Sequence, residues 1–358
     1  MRQFLWLVFL CFFSFCSWAV SSDPSQIGVG ARPLGMGQAY TAVAGDTSSI
    51  FLNPAGLADI ENPKFMTMSG TLFEDVNYLS GAFAAPLPRG TFGIGYSRLG
   101  LGSIPLSTLS GTMPAFTGQT TDYSNQVLFL TYAFPLDNLF KKMHNLSVGT
   151  SLKLYSQNFV GGGASMEGAS ASGMDMDLGL QWQMNKIANW GLFVRNFLPA
   201  SSGGKLTWQK NNIIESFPME IKLGGAFHII GEDGIHEIEE YRLDFFLDTV
   251  MQYSLKRPQM WNWGLEWKPL NAFTLRGGMN QVPRADMGAD NNFTAGVGIN
   301  LGGFAFDYAY HKFGEVEENI SHFFSFSYIG LPAPEKSKKK NLDFMPHLSQ
   351  RPVWLSPI

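Results

Sequence analysis

From Phe65 onward, apolar and polar residues alternate with a period of two. Met174, Met176, Leu178, Leu180, Trp182 and Met184 share one parity, and Asp175, Asp177, Gly179, Gln181 and Gln183 share the other. Trp261, Trp263, Leu265 and Trp267 likewise alternate with Asn262, Gly264, Glu266 and Lys268. In a strand, successive side chains point to opposite faces, so each run has one apolar and one polar face. The pattern predicts strands near 65–73, 76–86, 90–97, 124–134, 146–158, 172–184, 189–197, 217–229, 241–252, 260–268, 272–280, 292–301, 303–312 and 321–328. That is about fourteen strands, and several have the roughly nine to eleven residues a tilted strand needs to cross a bilayer. No apolar run beyond the first twenty residues is long enough to span as a helix. The fold expected is therefore all-β, a transmembrane antiparallel β-barrel, because only helices and closed barrels satisfy their own backbone in lipid.

Connector lengths provide a second test. Bacterial barrels pair short periplasmic turns with long outer loops. Here 86–89, 185–188, 269–272 and 302–303 are short, while 98–123, 159–171, 198–216, 281–291 and 313–320 are longer. The tight 74–75 turn and the longer 135–145 and 231–240 connections break the alternation. This phase puts both barrel ends in the periplasm. Trp182, Trp190, Trp208, Trp261, Trp263, Trp267 and Tyr328 fall near strand ends, where a bilayer interface favours them.

Composition narrows the class. Charged residues are 15% of the chain, aromatic residues are 14%, and there are 39 glycines. Low charge with many Gly and aromatic residues suits an apolar outer band around a polar inner wall. A formal charge of −4 gives no reason to expect nucleic acid. Residues 1–19 resemble a signal peptide: Arg2 starts it, Leu5 to Phe15 form the apolar stretch, and Ser17 and Ala19 supply the small residues of a cleavage site. Both cysteines, Cys11 and Cys16, lie inside it, so the exported chain has no thiolate metal site or disulfide. Residues 331–358 carry five prolines and a lysine run and read as an extended periplasmic tail.

The stretch from Gly28 to Asp59 is different. It has Gly at 28, 30, 35, 37 and 45, and its only charges are Arg32, Asp46 and Asp59. It is too apolar for a free tail and too rich in Gly for one helix. Asp46 or Thr47 is placed to cap a short helix over Ser48 to Leu52, and Asn53-Pro54 to end it. The matching residues Leu34-Gly35-Met36-Gly37-Gln38-Ala39-Tyr40, Ala42-Val43-Ala44-Gly45-Asp46 and Asn53-Pro54-Ala55-Gly56-Leu57 resemble the signature of the FadL-like superfamily, closest to its PorV/PorQ-type members. That resemblance implies a fourteen-stranded barrel with the N-terminal segment, 20–64, folded into the lumen of a 65–330 barrel as a hatch. Its motif residues are Gly35, Gly37, Ala39, Tyr40, Asp46, Asn53, Pro54 and Ala55.

Facing sorts the remaining chemistry. Lys or Arg facing lipid at mid-bilayer costs about 2–4 kcal/mol. Lys153, Lys222, Arg242, Lys268 and Arg276 are therefore expected in the lumen, with Asp175, Asp177, Glu220, Asp244, Asp248, Glu266 and Asp307. Mixed signs indicate paired charges around a plug, not a one-sign ion filter. Six histidines are candidate bases, but Asp307 and His311 are four residues apart on one strand, about 13 Å. No nucleophile elbow, zinc-protease motif or phosphate loop is present, so an enzyme is not expected, nor a metal or cofactor. A soluble all-β secreted protein is the other fold to weigh, and the outward Trp and Met rows argue against it.

Two functions remain. The first is passive passage or binding of hydrophobic, fatty-acid-like small molecules across the outer membrane of a Gram-negative-type envelope. Met36, Tyr40, Phe51, Leu52, Arg242 and Arg276 are the expected ligand contacts. The second is a non-enzymatic accessory barrel of PorV/PorQ type, docking envelope proteins through its loops or the 331–358 tail. In either case outer-membrane lipid surrounds the wall.

Overall fold

The computed structural model describes residues 24–72, 75–110, 113–138, 145–163, 166–238, 240–252, 257–284, 288–312 and 320–330. The expected signal peptide and C-terminal tail lie outside these residues. The strands in chain order are β1 (Lys64–Leu72), β2 (Val76–Leu87), β3 (Gly90–Ser110), β4 (Met113–Pro135), β5 (Leu146–Gly161), β6 (Ser170–Gln183), β7 (Ala188–Arg195), β8 (Lys205–Trp208), β9 (Ile214–Ser216), β10 (Glu220–Gly231), β11 (His236–Glu237), β12 (Arg242–Gln252), β13 (Met260–Leu270), β14 (Phe273–Pro283), β15 (Ala289–Leu301), β16 (Phe304–Lys312) and β17 (Ile320–Tyr328). Fourteen of them form the wall, each antiparallel to its neighbours, and β1 pairs with β17 to close it. The strands β8, β9 and β11 stand outside it. β7 pairs directly with β10, while the β8–β9 hairpin folds against the end of β6.

The alternation read in the sequence fixes which face is which. Along β6, Asp175, Asp177, Gly179 and Gln181 are buried, while Met174, Leu180 and Trp182 are among the exposed large apolar residues. Along β13, Met260, Asn262, Gly264 and Glu266 are buried, and Trp261, Leu265 and Trp267 are exposed. The buried parity lines the lumen. The outer parity leaves Phe293 and Phe324 60% exposed and Phe306 51% exposed. A continuous apolar band of this kind is a lipid-facing surface, and no helix among the described residues is long and apolar enough to cross a membrane. The fold is a transmembrane β-barrel.

Two features differ from the sequence expectation. Residues 98–123 are not a loop. β3 and β4 stay paired to Ser110 and Met113. Gly100, Gly102, Pro105 and Pro114 look like loop punctuation, but both outer edges of this extension are free over most of its length, and a free edge tolerates Pro. A bulge near Leu101 absorbs the irregularity: Ser103 has a φ of 56° and its N–H donates to Asp122 Oδ1 at 2.8 Å. Trp208 is also not on a wall strand. It lies on β8, packs near Phe159, and donates from Nε1 to Glu215 at 2.8 Å. Trp182 and Trp190 do face outward and oppose each other across β6 and β7. At the seam where the barrel closes, Phe65, Phe304, Phe326 and Tyr328 form an aromatic cluster with ring centroids 5.2–6.0 Å apart.

Candidate functional site: the segment inside the barrel

Residues 24–63 pack against lumen-facing positions of strands around the wall. They form one-turn helices at Ala31–Gly35 and Ser49–Leu52 and a 3-10 helix at Pro54–Asp59. The chain cannot run on helically between them. Gly37 and Gly45 have φ of 59° and 73°, a region where a side chain is strained. Asn53 is extended, as a residue before Pro must be, and its Oδ1 accepts from Ala55 N at 3.2 Å to start the 3-10 turn. The expected cap is half right. Asp46 Oδ1 accepts from Ser48 N at 2.8 Å, while Ser48 itself holds the cap position without a side-chain capping bond, its hydroxyl turned to Met66 Sδ.

The wall has been cut back to admit this segment. Nine lumen-facing glycines on eight strands meet it: Gly93 and Gly95 on β3, Gly149 on β5, Gly179 on β6, Gly191 on β7, Gly224 on β10, Gly264 on β13, Gly278 on β14 and Gly296 on β15. Gly149 opposes Gly179, Gly191 opposes Gly224, and Gly264 opposes Gly278. A Cβ at Gly278 would stand 2.5 Å from the Met36 carbonyl carbon, and one at Gly95 would stand 2.7 Å from Ile50. Gly35 works in the same way rather than as a turn residue: its own Cβ would be 3.1 Å from the Cα of Gly296.

Backbone groups of the segment find partners on the wall, as buried groups must. One oxygen of Asp248 accepts from Tyr40 N, Thr41 N and Thr41 Oγ1 at 2.9, 3.0 and 2.7 Å. Gln181 donates to the Ala42 carbonyl, and Thr294 bridges Gly35 and Gly37. Asn53 Nδ2 donates to the carbonyls of Thr41 and Leu180 at 2.6 and 3.1 Å, so it joins both arms of the segment to β6.

The two sides of the segment differ in chemistry. Toward β3–β5 the contact is apolar: Ile50, Phe51 and Leu57 are fully buried with Val127 and Phe129, and Phe51 meets the Phe129 ring edge-on at 4.8 Å. Toward β13–β16 it is ionic. Arg32 donates to both oxygens of Glu266 at 2.9 Å and to Asp46 Oδ2 at 2.9 Å. Arg276 joins Glu266 and Asp307, each at 2.7 Å, and Tyr40 donates its hydroxyl to Asp46 at 2.6 Å. Burial alone would raise the Asp46 carboxyl, but Arg32, the Tyr40 hydroxyl and the Ser48 N–H reverse this and hold it below the usual carboxylate range. Burial drives the Tyr40 phenol well above its ordinary value despite Arg32 beside it.

The expected ligand contacts are thus separated. Phe51 and Leu52 lie in the apolar seam, and Met36 is pressed on Gly264 and Gly278. Tyr40 and Arg276 belong to the ionic network. Arg242 is half exposed and pairs with Asp244, which also bonds His228. Among the motif residues, Gly35, Gly37, Ala39, Asp46, Asn53, Pro54 and Ala55 all lie in or beside contacts of the segment with itself or the wall. The charges expected in the lumen take the lumen-facing parity of their strands. Asp307 and His311 turn to different partners, Arg276 and Asn280. Arg32 as an anchor and Arg195, which reaches the Phe51 carbonyl, were not legible as contacts. The glycine belt was missed as well, although each of its members falls on the lumen parity of an alternating strand, which is the signal that marks it.

No protein-family model and no curated protein matches the sequence. Solved structures match by fold. The Pseudomonas putida toluene transporter TodX has 13% identity and a TM-score of 0.57, over 85% of this chain and 98% of that one. The Ralstonia pickettii toluene transporter TbuX has 12% identity and a TM-score of 0.56, over 84% and 98%. The CymD monoaromatic hydrocarbon channel has 12% identity and a TM-score of 0.54, over 84% and 97%. The chain shares the fold of these three proteins along nearly their whole length.

Proposed function

We propose that this chain works in an outer membrane as a non-enzymatic barrel that binds or passes hydrophobic small molecules, with residues 24–63 as its hatch. The observation that carries this reading is the apolar seam between hatch and wall, where Phe51 and Leu57 meet Val127 and Phe129 inside the lumen. A hatch shifted on that side would expose an apolar slot without breaking the ionic contacts opposite. Phe51 and Leu52 are the hatch side chains a ligand in that slot would meet, and Met36, Tyr40, Arg242 and Arg276 would meet it only elsewhere along its path. The neighbours named for toluene and monoaromatic hydrocarbons support the substrate class. The test is uptake of a labelled aromatic hydrocarbon and a labelled fatty acid by cells carrying the wild type or the Asn53→Ala, Pro54→Ala variant. Loosening the hatch should raise uptake of at least one of them. Equal uptake by wild type, variant and cells lacking the protein would sink the proposal.

A second reading has its own support. Backbone packed on nine wall glycines is a close fit, and it favours a fixed plug and a docking role of PorV/PorQ type. That reading expects envelope proteins to co-purify and to be lost when residues 331–358 are deleted, with uptake unchanged by the hatch variant.

A further inference from the structure

A cavity of about 240 Å³ opens at the end of the barrel where β1 and β16 begin and β13 and β17 finish. In the orientation set by the loops, this is the periplasmic mouth. Four cationic side chains line it, Arg32, Lys64, Lys268 and Arg276, and two carboxylates, Asp46 and Asp307. Glu266 lies behind the lining, fully buried, and its oxygens are already shared among Arg32, Arg276 and Lys268. In and behind the lining, four cations therefore face three carboxylates, while from outside it Glu61 acts on Lys64 and Arg242 on Lys268. The excess is local. Lys64 Nζ donates to the Gly45 carbonyl, a neutral partner, at 2.7 Å, and Lys268 has only a 3.2 Å contact to the crowded Glu266. An ammonium carries three donors, so both lysines keep donors for a further acceptor. Asn300 and Ser327 add neutral polar groups to the lining, and Ala305 and Met66 give it an apolar side.

We propose that this cavity binds a compact oxyanion, a carboxylate or a phosphate, between Lys64 and Lys268. The space is several times a water's share of liquid volume, about 30 Å³, so it admits an inorganic phosphate or a short-chain carboxylate but not a lipid. Gly30, Arg32 and residues 45–48 form the hatch side of the cavity, and Lys64 and Lys268 belong to the wall. An anion there bridges the two parts and holds the hatch closed. The proposal does not depend on what passes through the barrel, so its failure leaves the uptake result standing.

The test uses the full chain in detergent. Its thermal unfolding midpoint is followed by tryptophan fluorescence in chloride, phosphate and acetate at matched ionic strength. At least one oxyanion should raise the midpoint above chloride in a saturable way. A rise with phosphate alone assigns a phosphate group, and a rise with acetate assigns a carboxylate. Lys64→Gln with Lys268→Gln should weaken the apparent affinity by at least about tenfold, as loss of charge-assisted contacts requires. No difference from chloride, or a rise that survives in the double variant, overturns the proposal. Isothermal titration of the unaltered protein gives a reading independent of the variant's folding: saturable heat with phosphate or acetate supports the site, and its absence with both overturns it.

Discussion

Two adjacent glycines on β14 show how much one methyl group decides. Gly278 faces the lumen, where a Cβ would meet the Met36 carbonyl carbon at 2.5 Å. Gly277 faces outward, over a shallow apolar groove lined by Leu265, Trp267 and Leu275, and a Cβ there meets nothing within 4 Å. Gly278→Ala should destabilise by about 1–3 kcal/mol, the usual cost of overpacking against groups that cannot yield. Gly277→Ala should stay within about 0.5 kcal/mol of the native protein. Denaturant titration in detergent checks both, and equal effects would mean the segment does not rest on the belt. Arg32 gives a second test. Asp46 has a depressed folded-state pKa, so its stabilising contribution is complete above the ordinary carboxylate range. It is lost as the pH falls through the lower, folded-state value. Protease cleavage within 24–63 should therefore rise on acidification. In Arg32→Gln, cleavage should already be raised at neutral pH, since about 1.5–3 kcal/mol of charged hydrogen bonding is gone. Its further change with acid should be smaller than in the native protein.

At the scale of the element, parity carries the argument. Leu265 and Glu266 are neighbours on β13, one facing outward and one fully buried beside Arg276. Leu265→Arg should cost about 2–4 kcal/mol if that position lies near mid-bilayer, seen as a lower folded fraction in vesicle refolding. A folded fraction equal to the native one would place Leu265 outside the hydrocarbon. This parity is why the wall strands, their facing and the lumen charges could be read from Phe65 onward: a period of two leaves no third place for a side chain. The extension of β3 and β4 could not be read so, because among its described residues, Leu101 to Thr108 and Met113 to Phe116, none is buried to impose alternation. Contacts of the inner segment were harder still. Arg32 meets Glu266 across 234 positions of sequence, and no local pattern encodes that partner. The Asn53-Pro54 step was legible because its geometry is local.

For the whole molecule, the question is whether a wall and a segment so closely fitted ever separate. The contacts divide the labour: apolar side chains on β3–β5, charges on β13–β16, and between them Asp248 accepting three hydrogen bonds from Tyr40 and Thr41. Apolar contacts slide at little cost, whereas a carboxylate fixed by three donors does not, so Asp248 is the natural pivot. Thr41 Oγ1 and Asp248 Oδ2 are 2.7 Å apart, so these two side chains are in contact and are the pair of positions chosen for a designed cross-link. The only native cysteines are Cys11 and Cys16 in the expected leader, so Thr41→Cys with Asp248→Cys places its pair without competitors in the exported chain. A pivot that stays fixed while the apolar side moves predicts uptake unchanged between oxidised and reduced protein. A hatch that leaves as one body predicts uptake blocked on oxidation and restored by reductant. A docking barrel predicts no uptake in either state, with partner binding retained. The three outcomes are distinct because the cross-link adds one bond at one strand and leaves the seam at Phe51 and Phe129 untouched.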